Sequence, residues 1–317
     1  MNDPSKKKKN RRAVGVLLLF LAFALFVVLV MFLNSGKPDH LGPLDVESQV
    51  KGDVFIKTNQ AIMEQMLENW LPNDIFWPTA LLDNRPNFQI GQLEVIRYNI
   101  RVLRDNLTRM RTTDKLDPLA EAAFTAISND PYKWWFPSAE SKWRQVQKSL
   151  KAFYDNLLAG RSHFYPRADN LAELLTQYAS LMGGVNTRLI NAPHDVDKVL
   201  PVEDETRKGS GSSDLVDTAI PWYRIDDNFY YAQGVAYTLY ESMKAVRTDF
   251  MDVLVDKNAV KMVDKILEDL KRCHFEPLIV FNGGPASIFA NHSLNLSSVF
   301  NDARQKMQSL IVALQQG

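Results

Sequence analysis

Residues Ala13–Leu33, AVGVLLLFLAFALFVVLVMFL, limit what this chain can be more than any other stretch: 21 residues with no charge and no proline. Wound as an α-helix they rise roughly 31 Å, about the thickness of a bilayer's hydrocarbon core. Before them stand Lys6, Lys7, Lys8, Lys9, Arg11 and Arg12 against one acid, Asp3. Basic residues flanking a first span stay cytoplasmic, so the span reads N-terminus in, with residues 34–317 outside the cytoplasm. The same six cations are placed to sit against anionic headgroups. A basic tail abutting a span points to lipid rather than to nucleic acid. The run exceeds the roughly 7–15 apolar residues of a signal peptide, and Leu33-Asn34-Ser35-Gly36 lacks a small-residue cleavage pattern. It therefore reads as an uncleaved anchor.

Charge bounds the exported part. The whole chain balances 37 basic against 37 acidic residues; beyond the tail, 31 basic and 36 acidic remain. A mildly acidic domain argues against broad binding to a phosphate backbone, which wants a basic face. The single cysteine, Cys273, permits no internal disulfide, so packing must hold the domain together. Its neighbours Arg272 and His274 would lower a thiol pKa; the plainer reading is a small buried packing residue.

Past a Gly- and Pro-containing linker at 34–45, helical spacing recurs. A first helix is expected from Val46 or Val54 to Trp70, followed by an irregular, proline-punctuated stretch over 71–87. Ile90, Leu93, Ile96, Ile100, Leu103, Leu107 and Met110 form a narrow bundle-type seam. Further helices are expected over 118–127, from an N-cap at Ser138 to Gly160, and from Pro166 through Leu189. Phe229, Ala232, Ala236, Leu239, Met243, Val246, Phe250 and Val253 give the cleanest heptad spacing in the chain. Helices over about 258–273 and 296–314 complete the set, and no strand pattern is sustained enough for a sheet. Residues 192–220, with Glu203-Asp204-Glu205 and Lys208-Gly-Ser-Gly-Ser-Ser213, hold few apolar groups and read as a flexible connection between two helical lobes, 46–191 and 221–317. The aromatic run Pro131-Tyr-Lys-Trp-Trp-Phe-Pro137 reads first as a core plug, with an interfacial belt near the bilayer or a ligand platform as alternatives.

Candidate chemistry is thin. Asn282-Gly-Gly-Pro-Ala-Ser-Ile-Phe-Ala-Asn-His292 is the most site-like stretch: Gly283 and Gly284 permit close backbone approach, while Asn282, Ser287, Asn291 and His292 offer polar tips. It matches neither a nucleophile elbow nor a phosphate loop. His163, Arg167, Asp169 and Asn170 would suit a polar ligand, or simply cap and anchor their loop. Asp226 and Asp227 would serve acid–base chemistry, or cap a helix. The five histidines lack metal-ligand spacing, so no metal and no cofactor is expected.

Several stretches taken together point to a known family. Trp70-Leu-Pro-Asn-Asp74, Leu82-Asp-Asn-Arg-Pro-Asn87, Phe164-Tyr-Pro-Arg-Ala-Asp-Asn170, Ile225-Asp-Asp-Asn-Phe-Tyr230 and Phe289-Ala-Asn-His-Ser293 resemble an uncharacterised family of single-pass inner-membrane proteins of Gram-negative bacteria, a domain of unknown function. The resemblance implies an anchor, a helical exported domain and no assigned activity; it carries over no catalytic residue. The expectation is an all-α chain: one transmembrane helix, then a periplasmic bundle in two lobes. Its expected role is to bind or scaffold a protein or envelope component beside the bilayer, without nucleic acid. The rivals are an envelope hydrolase or transferase centred on Ser287–His292, and a lipid- or small-ligand-binding bundle with an apolar cavity near Trp134, Trp135 and Phe136.

Overall fold

In the computed structural model the described residues are 4–44, 50–75, 78–111, 113–191, 194–197, 216–219, 225–277, 279–283 and 287–316. Helix α1 (Pro4–Ser35) runs from the basic tail through the apolar segment. Its part from Val14 to Ser35 is long and apolar enough to cross a bilayer, and none of it is buried in the fold. The side chains of Lys6, Lys7, Lys8, Lys9, Arg11 and Arg12 lie outside the described residues.

The domain is helical, as its spacing predicts. It comprises α2 (Asp53–Glu68), α3 (Asn84–Val102), α4 (Pro118–Ile127), α5 (Ala139–Leu158), α6 (Ala168–Asn191), α7 (Ile225–Asp249), α8 (Met251–Asp256), α9 (Val260–Arg272) and α10 (His292–Gln315). Local chemistry sets several starts. Asp117 accepts from the Leu119 and Ala120 amides ahead of α4, whose first residue is proline. Ser138 accepts from the Ser141 amide at the head of α5. Asp83 caps α3, which therefore begins inside the stretch expected to be irregular, with Pro86 in its first turn. The long seam ends in one π-helical turn, Leu103–Leu107, and Met110 beyond it is exposed. Asn258, with φ of 51°, breaks the chain between α8 and α9.

Two hydrogen-bonded pairs fix how the central helices run. Asn87 bonds Asp227, and Asn99 bonds Ser242, so α3 and α7 lie side by side in the same direction. Asn59 bonds Asn99 while Asn69 bonds Gln89, so α2 runs the other way. Ser297 bonds Asn186 and Arg304 bonds the Ala179 carbonyl, so α10 runs opposite to α6. At the crossing of four helices lies a buried polar knot. The Asn99 amide donates to Asn59 Oδ1 and Ser242 Oγ, each at 2.9 Å, and the Tyr178 hydroxyl donates to Asn99 Oδ1 at 2.5 Å.

Helices from both sides of residues 192–220 share one hydrophobic core: α3 lies along α7 and α6 along α10. The two stretches 46–191 and 221–317 are therefore not separate packing units. A short ribbon, β1 (His194–Asp197) antiparallel to β2 (Val216–Ala219), joins the base of the connecting segment on residues whose composition carries no strand signal. The rest of that segment, including Glu203-Asp204-Glu205 and the Gly-Ser run, lies outside the described residues.

Candidate functional site

The stretch around Ser287 and His292 is a loop closed on itself. Asn282 and Asn291 form an isolated antiparallel bridge. The Gly283 amide donates to the Ala290 carbonyl at 3.2 Å, and a Cβ on Gly283 would fall 2.1 Å from the Phe289 carbonyl oxygen, so its own loop fills the space beside it. Asn291 Oδ1 accepts from the Leu294 amide at 2.9 Å and caps α10, and Asn282 Oδ1 accepts from the Ser293 amide. His292 Nδ1 accepts from the Phe281 amide at 2.9 Å, whereas Ser287 Oγ accepts from the Phe289 amide at 3.0 Å. Serine and imidazole thus each serve a different backbone amide, and no hydrogen bond joins them among the described residues. This is not a nucleophile–base arrangement. Gly284 lies outside the described residues.

Asp226 and Asp227 stand in the first turn of α7, where the helix N-terminus favours negative charge. Asp83, which sequence reading passed over, joins them: the three carboxylates hold oxygens within 4.8 Å of one another. The signal for its partnership is the parallel pairing of α3 and α7, which spacing along either helix does not encode. Burial, then the Asp83 charge, holds the Asp226 carboxyl above its ordinary pKa. The trio has the hard oxygen donors a divalent cation takes. Its acids also have structural roles, since Asp83 caps α3, Asn87 donates to Asp227 at 2.8 Å, and the first turn of α7 favours the other two, although Asp226 Oδ1 is buried without a hydrogen-bond partner.

His163, Arg167, Asp169 and Asn170 lie at the opposite end of the bundle. Arg167 donates to the Met110 carbonyl and to Asp169, both at 2.7 Å, and Asn170 donates to the Tyr165 carbonyl at 2.9 Å. His163 is exposed beside the Tyr165 ring. These residues tie the loop before α6 to the end of the α3 ridge. Cys273 is fully buried, and burial pushes its thiol pKa up to about 12, the reverse of what Arg272 and His274 suggest from sequence.

Two features emerge only from the fold. Residues 37–41 of the linker pack against the domain. Lys37 reaches Gln233 and the Phe275 carbonyl and is held over the Tyr230 ring; its side chain is only 7% exposed, and burial lowers its pKa. His40 Nδ1 lies 2.9 Å from Oε1 of the buried Glu241, the Leu41 amide donates to the same oxygen, and the Tyr237 hydroxyl donates to the Asp39 carbonyl. Residues 37–41 are thus strapped along α7. The second feature is the aromatic loop, which does not plug the core. Trp135 and Phe136 are 69% and 86% exposed, and Trp134 stands edge-on to Trp135 at the surface. The side chains expected to line an apolar cavity face outward instead.

Between α2 and α5 runs an open groove of about 640 Å³ whose walls include Lys57, Glu64, Leu67, Lys148, Lys151 and Tyr154. It mixes cations, the carboxylates of Glu64 and Asp155 and apolar surface without the convergent buried polar groups of a small-molecule pocket.

Neither a curated protein nor a solved structure matches this chain. A family model, "Uncharacterized protein conserved in bacteria (DUF2333)", matches residues 7–317. With its helical domain behind one apolar N-terminal helix, the chain belongs to that family of uncharacterised bacterial proteins.

Proposed function

We propose that this protein is a membrane-anchored binding protein of the bacterial envelope, its helical domain standing on the periplasmic face of the inner membrane and holding a partner there. The strap of residues 37–41 carries the reading. A long free tether lets a domain search; here Lys37, His40 and Leu41 bond α7 within a few residues of the span, which sets the domain at one height. The basic tail supports the orientation. The open groove between α2 and α5, with Lys57, Lys148 and Lys151 beside Leu67 and Tyr154, suits the surface of a folded partner. The test is in-cell crosslinking of the full anchored chain, affinity capture and mass spectrometry. A stoichiometric periplasmic partner that survives Ser287→Ala and His292→Ala, and is lost on Lys148→Glu with Lys151→Glu, is expected. Turnover of an envelope substrate that disappears with Ser287→Ala or His292→Ala would overturn the reading.

A further inference from the structure

Outside α1, the exposed aromatic side chains among the described residues fall in two loops: Tyr132, Trp134, Trp135 and Phe136 in one, Phe281 and Phe289 in the other. Both loops lie at the end of the bundle where the anchor enters. The first is fixed there by Trp70 donating to the Pro131 carbonyl and Asn73 to the Lys133 carbonyl, while the neighbouring Asn69 bonds Asn34 in the last turn of α1. The second joins the end of α9 to the start of α10, and Lys37 holds the end of α9 through the Phe275 carbonyl and Glu276. Phe281 and Phe289 stack at 5.0 Å on the surface, and Ile288 beside them is 95% exposed.

Only Gly36 lies between the last residue of α1 and Lys37, so this end of the domain stands within roughly 7 Å of chain from the span. Tryptophan, with an apolar ring system and one polar N–H, settles at the headgroup level of a bilayer. Resting on the anchored reading above, we infer that the two aromatic loops form a second, non-spanning membrane contact: Trp134, Trp135, Phe136, Phe281, Ile288 and Phe289 insert into the phospholipid interface around the anchor. Asp83, Asp226 and Asp227 place acidic groups at this end, so insertion of apolar rings, not attraction to anionic headgroups, supplies the contact. The domain is then held at three points, the span and two loops, and cannot swing about its linker.

The full chain is reconstituted into nanodiscs of phosphatidylcholine brominated on the acyl chain near the headgroup, and tryptophan fluorescence is compared with unbrominated discs. Strong quenching is expected, with most of it lost in a Trp134→Ser, Trp135→Ser double variant. These side chains are exposed, so the thermal midpoint should stay unchanged. Equal quenching in wild type and variant would overturn the inference. So would absence of quenching together with self-crosslinking through a photoreactive residue at 135, which assigns the rings to a second copy. Alkaline carbonate extraction separates the two readings. A chain that resists extraction but is not quenched loses only the docking contact; a chain that is extracted loses the anchor as well.

Discussion

Asp249 belongs to α7, yet its carboxylate caps α2. Gly52, the residue before that helix, has no side chain to offer, and Asp249 accepts from the Gly52 amide at 3.0 Å and the Phe55 amide at 2.7 Å. Burial outweighs these hydrogen bonds and raises the carboxyl pKa from 3.8 to about 6. The folded state therefore binds this proton more tightly than the unfolded chain. The stability that follows is complete below about pH 3.8 and is lost as pH rises through about 6. Asp249→Asn removes the titration. In urea unfolding of the full chain in detergent micelles, the stability of wild type relative to the variant should rise by about 2 kcal/mol between pH 7 and pH 4; a flat difference would contradict the assignment. Nothing near Asp249 in sequence announces this role, because its partners lie almost two hundred positions away. Asn99 is hidden for a similar reason: a polar residue between apolar seam positions looks solvated until Tyr178, Asn59 and Ser242 arrive around it. Ser138, by contrast, is legible because a cap and the helix it starts are neighbours in the chain.

Helices declare themselves through spacing, but their closest approaches depend on what is missing. The seams of α3, α5 and α7 follow from apolar positions three and four apart, and most of those side chains are buried, with Ile90 and Val253 partly so and Met110 exposed. That α3 and α7 nearly touch comes instead from Gly91 and Gly234. A Cβ on Gly234 would sit 1.9 Å from the Phe88 carbonyl oxygen, and one on Gly91 would sit 2.2 Å from that of Tyr231. Gly234→Ala should therefore destabilise the domain by about 2 kcal/mol or more, since two backbones must part. Adding Gly91→Ala should cost less than it does alone, because the helices have already separated; thermal unfolding of the three variants measures both effects. The loop 131–137 was misread because composition stood in for pattern. Five consecutive residues that include two tryptophans and a phenylalanine look like core, yet a loop has no periodic face to turn inward, and these rings remain outside.

At the scale of the whole molecule, the apolar helix α1, residues 37–41 and the bundle are joined as one unit. Gly36, Pro38, Gly42 and Pro43 mark residues 34–45 as a linker by composition; Glu241 and Gln233, on the far side of the sequence, make residues 37–41 a strap. The same long-range packing joins the two helical stretches across residues 192–220 into one core. In the proposed arrangement this unit stands end-on to the bilayer, with the starts of α3 and α7 near the membrane and α8 far from it. Helix α7 alone separates those ends by roughly 37 Å. Spin labels at Leu81→Cys and Val255→Cys test this directly, since both positions are exposed and the native Cys273 is fully buried. In nanodiscs carrying a nickel-chelating lipid, the label at 81 should relax strongly and the label at 255 should not. Equal relaxation at both positions, or the reverse order, would contradict that arrangement.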